Sequence, residues 1–369
     1  MKGKPQPENY ILRYLLYLNY IFIILLGLSY LSIYINPVDF WAISIFGMAY
    51  PLLIITNLLF IILWIGFRRS YFLISLTAIL IGFNLIGKFI QFSFVGKQAG
   101  PIESISLLSY NVHNFSQKSS KGVFDKEIQH EIFNFIESQN SDIVCLQEFN
   151  YIGENIYASH AQLKQQLGSN NYYFESYFNP KKNKVFGMAT FSKFPIINSG
   201  NLDLAETRKF GTFIDVIRAD DTIRIYNIHL ESISLNYVDY AFVSGISTGD
   251  SIQKPNTGLL LNKLRKALIN RTKQVIVLKN HISHSPYPVI LCGDFNELSC
   301  SYNYRYLSAG MHDAFVDSGI GIGKTFASIL PAFRIDYILF DPHFKSFDYE
   351  EIKINLSDHY PIKTKLNLK

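Results

Sequence analysis

Residues Leu291-Cys292-Gly293-Asp294-Phe295-Asn296-Glu297 form an apolar run that stops at a glycine and then presents a carboxylate and a carboxamide two positions apart. Such a run reads as a buried strand ending in a turn that holds polar groups at its carboxyl end. Side chains two apart share one face of a strand. Four series read that way: Ile105, Leu107, Ser109, Asn111; Val144, Leu146, Glu148; Ile223, Ile225, Asn227, His229; and Ile290, Cys292, Asp294, with Asn296 past the turn. Each turns from apolar to polar only at its carboxyl end. One such strand is ordinary, but four imply that their ends converge on one polar site, and sheet enzymes place ligands at strand ends. Arg334-Ile335-Asp336-Tyr337-Ile338 sets a carboxylate in an otherwise apolar strand, and Ser357-Asp358-His359-Tyr360-Pro361 sets Asp and His in a turn before the last strand. A buried carboxylate needs a partner. His359 is the expected one, because a carboxylate orients imidazole and raises its basicity. Carboxylates, imidazoles and carboxamides gathered in one place suit acid–base chemistry.

The elements that position these groups begin near residue 104. Strands are expected at 105–112, 142–149, 172–178, 186–192, 210–218, 222–230, 288–293, 335–340 and 361–367. Helices are expected at 123–139, with Phe124, Ile128, Ile132 and Ile136 at helical spacing, at 157–167 and at about 258–282. Many short strands with a few helices between them indicate an α/β domain of layered sheets. Residues 233–257, with Tyr237, Tyr240, Phe242 and Val243, interrupt the pattern. A connection of that length is functional, disordered or locally folded, and an ordinary packed loop is the favoured reading over a cap on the site or a lipid contact.

The motifs, in order, resemble those of the endonuclease/exonuclease/phosphatase superfamily, the DNase I-like fold: Asn111 in SYNVHNF, Glu148 in CLQEF, His229 in NIHLES, Asp294 and Asn296 in GDFNE, Asp336 in RIDYI, and Asp358-His359 in SDHYPI. Gly187 to Pro195, GMATFSKFP, looks like a further family stretch. The resemblance covers about residues 104–369 and implies a four-layer α/β/β/α sandwich that hydrolyses phosphate esters with Mg²⁺, for which Mn²⁺ could substitute. It implies Glu148 as principal metal ligand with Asn111 and Asp358 beside it. It implies His359, oriented by Asp336, as general base or phosphate binder, and Asp294 as the group that positions or deprotonates water. His229 would be the general acid or a transition-state donor, and Asn296 a donor to developing charge. Which of Asp294 and His359 takes the proton stays open. Asn227, His113 and Arg334 are weaker candidates for the substrate rim. Asn227 could equally bond backbone, His113 is more naturally structural, and Arg334 suits an ion pair.

Composition divides the chain near residue 100. Residues 1–100 hold seven basic and two acidic side chains, which leaves 27 of each beyond them, so the formal +5 belongs to the first part. A neutral domain lacks the broad basic surface of a protein that grips long nucleic acid. Three cysteines make neither a disulfide framework nor a zinc pattern, and Cys145 and Cys292 sit in core strands. Apolar stretches at 14–36, 41–66 and 71–95, charged only at Lys88, each exceed the ~20 residues that cross a bilayer. Three transmembrane helices in a membrane region 1–96 are therefore expected. Lys2, Lys4, Arg13 and the Arg68-Arg69 pair place the N-terminus in the cytoplasm and the domain outside. A short linker, 97–103, keeps the domain close to the bilayer. The spans lack carboxylates and histidines, so an anchor is favoured over a sensor or transporter. The leading expectation is a membrane-anchored hydrolase of a phosphate ester that is lipid-borne or extracytoplasmic. A nuclease is the alternative, and a catalytically silent binding domain follows after it.

Overall fold

A computed structural model describes residues 7–67, 69–92, 100–101, 103–116, 124–149, 162–169, 171–179, 184–204, 207–233, 257–327 and 333–369. The interior of the 233–257 connection and most of the 97–103 linker lie outside the described residues, as does all of the 157–167 helix before residue 162.

Two six-stranded sheets form the centre. The first runs β13 (Phe344–Glu351), β14 (Ile362–Leu368), β2 (Ile105–Asn111), β3 (Ile143–Gln147), β5 (Lys184–Ser192), β4 (Asn171–Asn179). The second runs β10 (His312–Asp313), β12 (Asp336–Phe340), β9 (Val289–Asp294), β8 (Asp221–His229), β7 (Thr207–Arg218), β6 (Ile196–Leu204). The pairs β2–β3 and β8–β9 are parallel, so four strands deliver their carboxyl ends to the same end of the sandwich.

Between the sheets, Ile105, Leu107, Cys145, Ile225, Cys292 and Ile338 make one buried layer. Full burial of an aliphatic side chain contributes roughly 1.5–3 kcal/mol, so this layer fixes strand register firmly. On the outer face of the first sheet, α7 (Lys126–Ser138) lays Ile132, Phe133 and Ile136 against Leu108, Val144 and Leu146. The Asp125 side chain caps α7, accepting from the Glu127 and Ile128 amides. On the outer face of the second sheet, α8 (Thr257–Ser283) and α9 (Tyr302–Ser308) pack Val275, Leu278 and Leu307 against Tyr226, Leu291 and Leu339. This is the expected four-layer sandwich.

Two expectations change. Strands β6 and β13 are additional, each at a sheet edge with a mixed polar sequence. Val144 and Leu146 face α7, whereas Ile143, Cys145 and Gln147 face the inner layer or its polar end. Glu148 therefore does not share the face of Leu146; it reaches the site through a left-handed backbone at φ 50.

The N-terminal part is a helical bundle. Among the described residues one helix, α1 (Pro7–Ser32), is long and apolar enough to cross a membrane. The expected second and third spans are not single helices. The second divides into α3 (Ile43–Met48) and α4 (Tyr50–Gly66) around Ala49, because Pro51 in the first turn of α4 has no N–H to continue the ladder. The third is α5 (Phe72–Ile81) and α6 (Phe83–Ile86), broken at Gly82. Past α6 the chain docks on the sandwich: β1 (Ile90–Gln91) pairs with β11 (Gly321–Ile322). Lys88, the one charge in that apolar stretch, stands over the Tyr304 ring at 4.9 Å, at this junction rather than within a span. The short α2 (Pro37–Phe40), in the hairpin after α1, packs against α8.

Candidate active site

The site lies at the carboxyl ends of β2, β3, β8 and β9, where β12 and the turn before β14 add one residue each. Parallel register sets His229 beside Asp294, and antiparallel register sets Asp336 opposite Asp294. Gly293 allows this convergence. Its φ is +133, and a Cβ there would collide with the Ile228 carbonyl on the neighbouring strand. Only glycine tolerates both conditions.

Asp294 is the buried centre. Its Oδ1 accepts from the Asn296 amide at 2.8 Å, and its Oδ2 accepts from Asn111 Nδ2 at 3.0 Å and Asn296 Nδ2 at 3.2 Å. Its carboxyl is raised above the ordinary aspartate range by burial and the nearby Asp336 charge, against the lowering pull of His359 and His229. His359 Nδ1 lies 2.9 and 3.1 Å from the two Asp336 oxygens, and its Nε2 lies 3.7 Å from Asp294 Oδ2. Burial lowers the imidazole's proton affinity, but the Asp336 and Asp294 charges outweigh it and raise it well above the ordinary histidine value.

Glu148 forms the other wall. Asn114 Nδ2 donates to its Oε2 at 2.6 Å, and His229 Nε2 stands 3.6 Å from both Glu148 Oε1 and Asp294 Oδ2. Among the described residues, His229 Nε2 and Asn114 Oδ1 are buried without a hydrogen-bond partner. Groups of this kind call for an explanation. Beside a carboxylate, at a partly open position, they fit a hard divalent cation that keeps several waters, together with a phosphate oxygen. Asp294, Asp336 and His359 also bring ligand atoms within 4.8 Å of one another. Their atoms are already engaged with each other and with Asn111 and Asn296, so the Glu148 corner is the better metal position.

The expected residues thus divide. Glu148, His229, Asp294, Asn296, Asp336, His359 and Asn111 meet at one place. Asn111, expected beside the metal, spends its amide on Asp294 and its Oδ1 on the His113 amide at 3.0 Å. Asp358 and His113 pair at the rim, 3.6 Å apart. Asn227 is fully buried two residues short of the site. It accepts from Gln147 Nε2 at 2.8 Å and donates to the Leu146 and Ala189 carbonyls, so it clamps the sheets and cannot reach substrate. Arg334 is also fully buried, paired with Asp313, and is no rim residue.

Two residues escaped the sequence reading. Asn114 lies beyond β2 in a turn where residues 113–115 all have positive φ, so strand periodicity could not place it. Arg271, buried on α8, donates to the Asn296 carbonyl and stands 3.3 Å from Glu297, fixing the loop that carries Asn296. Positive φ at Glu148 and Asn296 as well shows local backbone strain concentrated where the polar groups converge.

Residues 108–359 match the model of the Endonuclease/Exonuclease/phosphatase family, and residues 12–89 match a Domain of unknown function (DUF8431). Among solved structures, the chain is similar to the endonuclease/exonuclease/phosphatase from Beutenbergia cavernae DSM 12333, with TM-score 0.52, 18% identity and coverage of 72% of each chain. It is similar to the human Nocturnin catalytic domain with bound sulfate anion (TM-score 0.50, 18% identity, 72% of this chain and 94% of that one). It is likewise similar to a humanized D. rerio TDP2 (TM-score 0.50, 18% identity, 72% and 99%). At such identity the likeness is one of fold. No curated protein matches the chain.

Proposed function

This chain belongs to the Endonuclease/Exonuclease/phosphatase family and is a metal-dependent phosphoric ester hydrolase, and from that premise we propose that it uses Mg²⁺ and works from a membrane. The observation that carries the catalytic reading is His229 Nε2, which has no hydrogen-bond partner among the described residues and stands 3.6 Å from both Glu148 Oε1 and Asp294 Oδ2. Glu148, with Asn114 behind it, would hold the metal. When bound, Mg²⁺ polarises the phosphoryl oxygen and offsets charge on the leaving oxygen. Asp294, its carboxyl raised by burial, takes the proton from water as the water oxygen bonds to phosphorus. His359, kept protonated by Asp336, donates to a phosphoryl oxygen. His229 protonates the leaving oxygen as the ester P–O bond breaks. Asn111 and Asn296 hold Asp294 in place. This assigns base duty to Asp294, because an imidazolium held between two carboxylates is a poor proton acceptor.

Membrane placement is supported by the bundle's surface. Outward-facing residues include Ile24, Leu59, Ile62, Ile65 and Ile81, all more than half exposed. A patch of that kind on a chain in water is exceptional. Inside, α1, α4 and α5 are joined by a buried polar network: Asn19 donates to Ser75 at 2.7 Å, Ser75 to Asn57 at 3.2 Å, and Trp64 Nε1 to Asn19 at 2.9 Å. Polar bonds within and apolar side chains outside are the arrangement of helices packed in lipid. Together α3 and α4 cover residues 43–66, long enough to cross with a kink, and α5 with α6 makes a shorter third passage. The far end of α1 and the hairpin beyond it touch the sandwich, through Tyr34 with Arg305 and Gly47 with Cys300. These contacts support a domain across the bilayer from the N-terminus. Lys2, Lys4, Arg13, Arg68 and Arg69 put that N-terminus inside, and the domain outside.

Purified full-length chain assayed on a panel of phosphate esters tests this reading. Turnover that needs Mg²⁺ and is lost in His359→Gln supports it; a panel without any hydrolysis removes it.

A further inference from the structure

We propose that the ester this site hydrolyses is carried by a lipid of the same bilayer in which the bundle stands. The inference rests on the membrane-hydrolase reading above and adds the substrate class.

The site-bearing end of the sandwich is the end turned toward the bundle. Four residues beyond Asn296, Cys300 Sγ contacts the Gly47 carbonyl at 3.0 Å, and Ser299 Oγ donates to the Lys88 carbonyl at 3.3 Å. Just ahead of Asp336, Arg334 Nη2 donates to the same Lys88 carbonyl at 2.9 Å. The Gly323 amide donates to the Phe89 carbonyl at 2.8 Å. His359 itself is edge-on to Phe326 at 5.2 Å and bridged to it by backbone. Phe326 and Phe333 pack with Ile335 on the bundle residues Tyr50 and Phe89. Each of these segments is a connection at the end where the catalytic groups converge. The opposite end lies a full strand away, roughly 20 Å. The site therefore lies at the end of the sandwich that meets the bundle.

The same end carries exposed apolar side chains that the sandwich does not need. Phe92, Ile320 and Ile322 surround the β1–β11 ribbon, with Ile322 paired to Ile90 directly after the bundle, and Val38 and Phe40 sit on α2 across the junction. Phe92 is 74% exposed and Ile322 53%. Phe92 lies three residues beyond Phe89 of the bundle and Ile322 pairs with Ile90, so these exposed side chains adjoin the bundle and suit the headgroup–acyl boundary of the lipid. A polymer such as a nucleic acid duplex would have to enter between domain and bilayer, and a domain with equal acidic and basic counts offers it no electrostatic compensation. A lipid headgroup reaches the site by lateral diffusion, with its acyl chains left in the leaflet. Water's oxygen then bonds to the headgroup phosphorus, the P–O bond to the leaving alcohol breaks, and that alcohol takes the proton.

The full-length chain in phosphatidylcholine vesicles decides the matter. With Mg²⁺ it is given phosphatidylglycerol, phosphatidic acid or a polyprenyl phosphate in the bilayer, and glycerol 3-phosphate or a short oligonucleotide in solution. The expected result is a kcat/KM at least about tenfold higher for a bilayer ester. Ile322→Asp should lower the ratio of lipid to soluble turnover by about tenfold, the effect of withdrawing one apolar side chain from the lipid boundary. Soluble esters turned over as well as or better than every bilayer ester, with Mg²⁺ dependence intact, would overturn the inference and leave the hydrolase reading standing. No Mg²⁺-dependent turnover of any ester would remove both.

Discussion

Arg334 reaches out of the catalytic sandwich to the backbone of the bundle: its Nη2 donates to the Lys88 carbonyl at 2.9 Å while its Nη1 holds both Asp313 oxygens at 2.9 and 3.0 Å. The guanidinium also lies over the Phe315 and Tyr337 rings, at 4.6 and 4.5 Å. Two residues further on is Asp336. Removing Arg334 strands a buried carboxylate, and breaking such a pair costs about 3–5 kcal/mol. Arg334→Met should therefore lower the thermal midpoint strongly. Ser299→Ala, which loses one weak bond to the same carbonyl, should cost no more than about 1 kcal/mol. Equal melting curves for wild type and Arg334→Met would contradict the assignment.

In the proposed mechanism Asp336 acts through His359, whose Nδ1 it holds. In Asp336→Asn the imidazole loses the charge that keeps it protonated and oriented, and kcat should fall about 10²–10⁴-fold. KM should change far less. Circular dichroism and the melting midpoint report whether the fold is retained. A variant that melts like wild type and keeps full kcat would exclude the positioning role.

The two shifted groups give a pH dependence with defined signs. Asp294 must be ionised to accept a proton, so activity rises with pH through a value above the ordinary aspartate one of ~3.9. In the proposed mechanism His359 donates while protonated, so its own deprotonation lowers activity only above the ordinary imidazole value of ~6.5. Stability follows the same groups. A histidine raised in the folded state contributes stability that is complete below its unfolded pKa and lost as pH rises through its folded pKa. Asp336→Asn should move the alkaline limb of the kcat/KM profile to lower pH. An unmoved limb would assign that limb to another group.

Asn227 makes a different demand. It joins Gln147 across the two sheets, and neither side chain touches solvent. Asn227→Ala leaves Gln147 partly unpaired and should cost about 1–3 kcal/mol of stability. Denaturant unfolding measures this. KM for any ester should stay near the wild-type value, and a large KM increase with unchanged stability would return Asn227 to the substrate rim.

Much of the site was legible because three strands keep strict alternation up to their polar ends. Asn111, His229 and Asp294 are reached by counting in twos along β2, β8 and β9, and the Asp336–His359 pair by asking what a buried carboxylate needs. The same counting left Asn227 between the substrate rim and a bond to backbone, since periodicity gives the face of a strand and not the depth at which it meets the other sheet; the structure shows the backbone bonds. It also misjudged β3, where Glu148 arrives by a left-handed residue rather than by alternation. Asn114 depends on the same backbone geometry. The edge strands β6 and β13 carry too few apolar residues to stand out from loops. In the bundle, the apolar lengths were legible. The breaks at Ala49 and Gly82, and the docking of Lys88 and Phe89 on the sandwich, depend on tertiary contacts that hydropathy does not encode.

The central claim is that Glu148 holds a divalent cation on which ester hydrolysis depends. The most direct test is the hydrolysis rate of purified full-length chain with Mg²⁺, with EDTA, and with Mg²⁺ in Glu148→Gln. Lewis-acid stabilisation of several kcal/mol corresponds to about 10³-fold in rate. The rate should fall by that order in EDTA, return when Mg²⁺ or Mn²⁺ is restored, and stay low in Glu148→Gln at ordinary Mg²⁺ concentrations. Undiminished hydrolysis in EDTA, or in Glu148→Gln, would contradict the account.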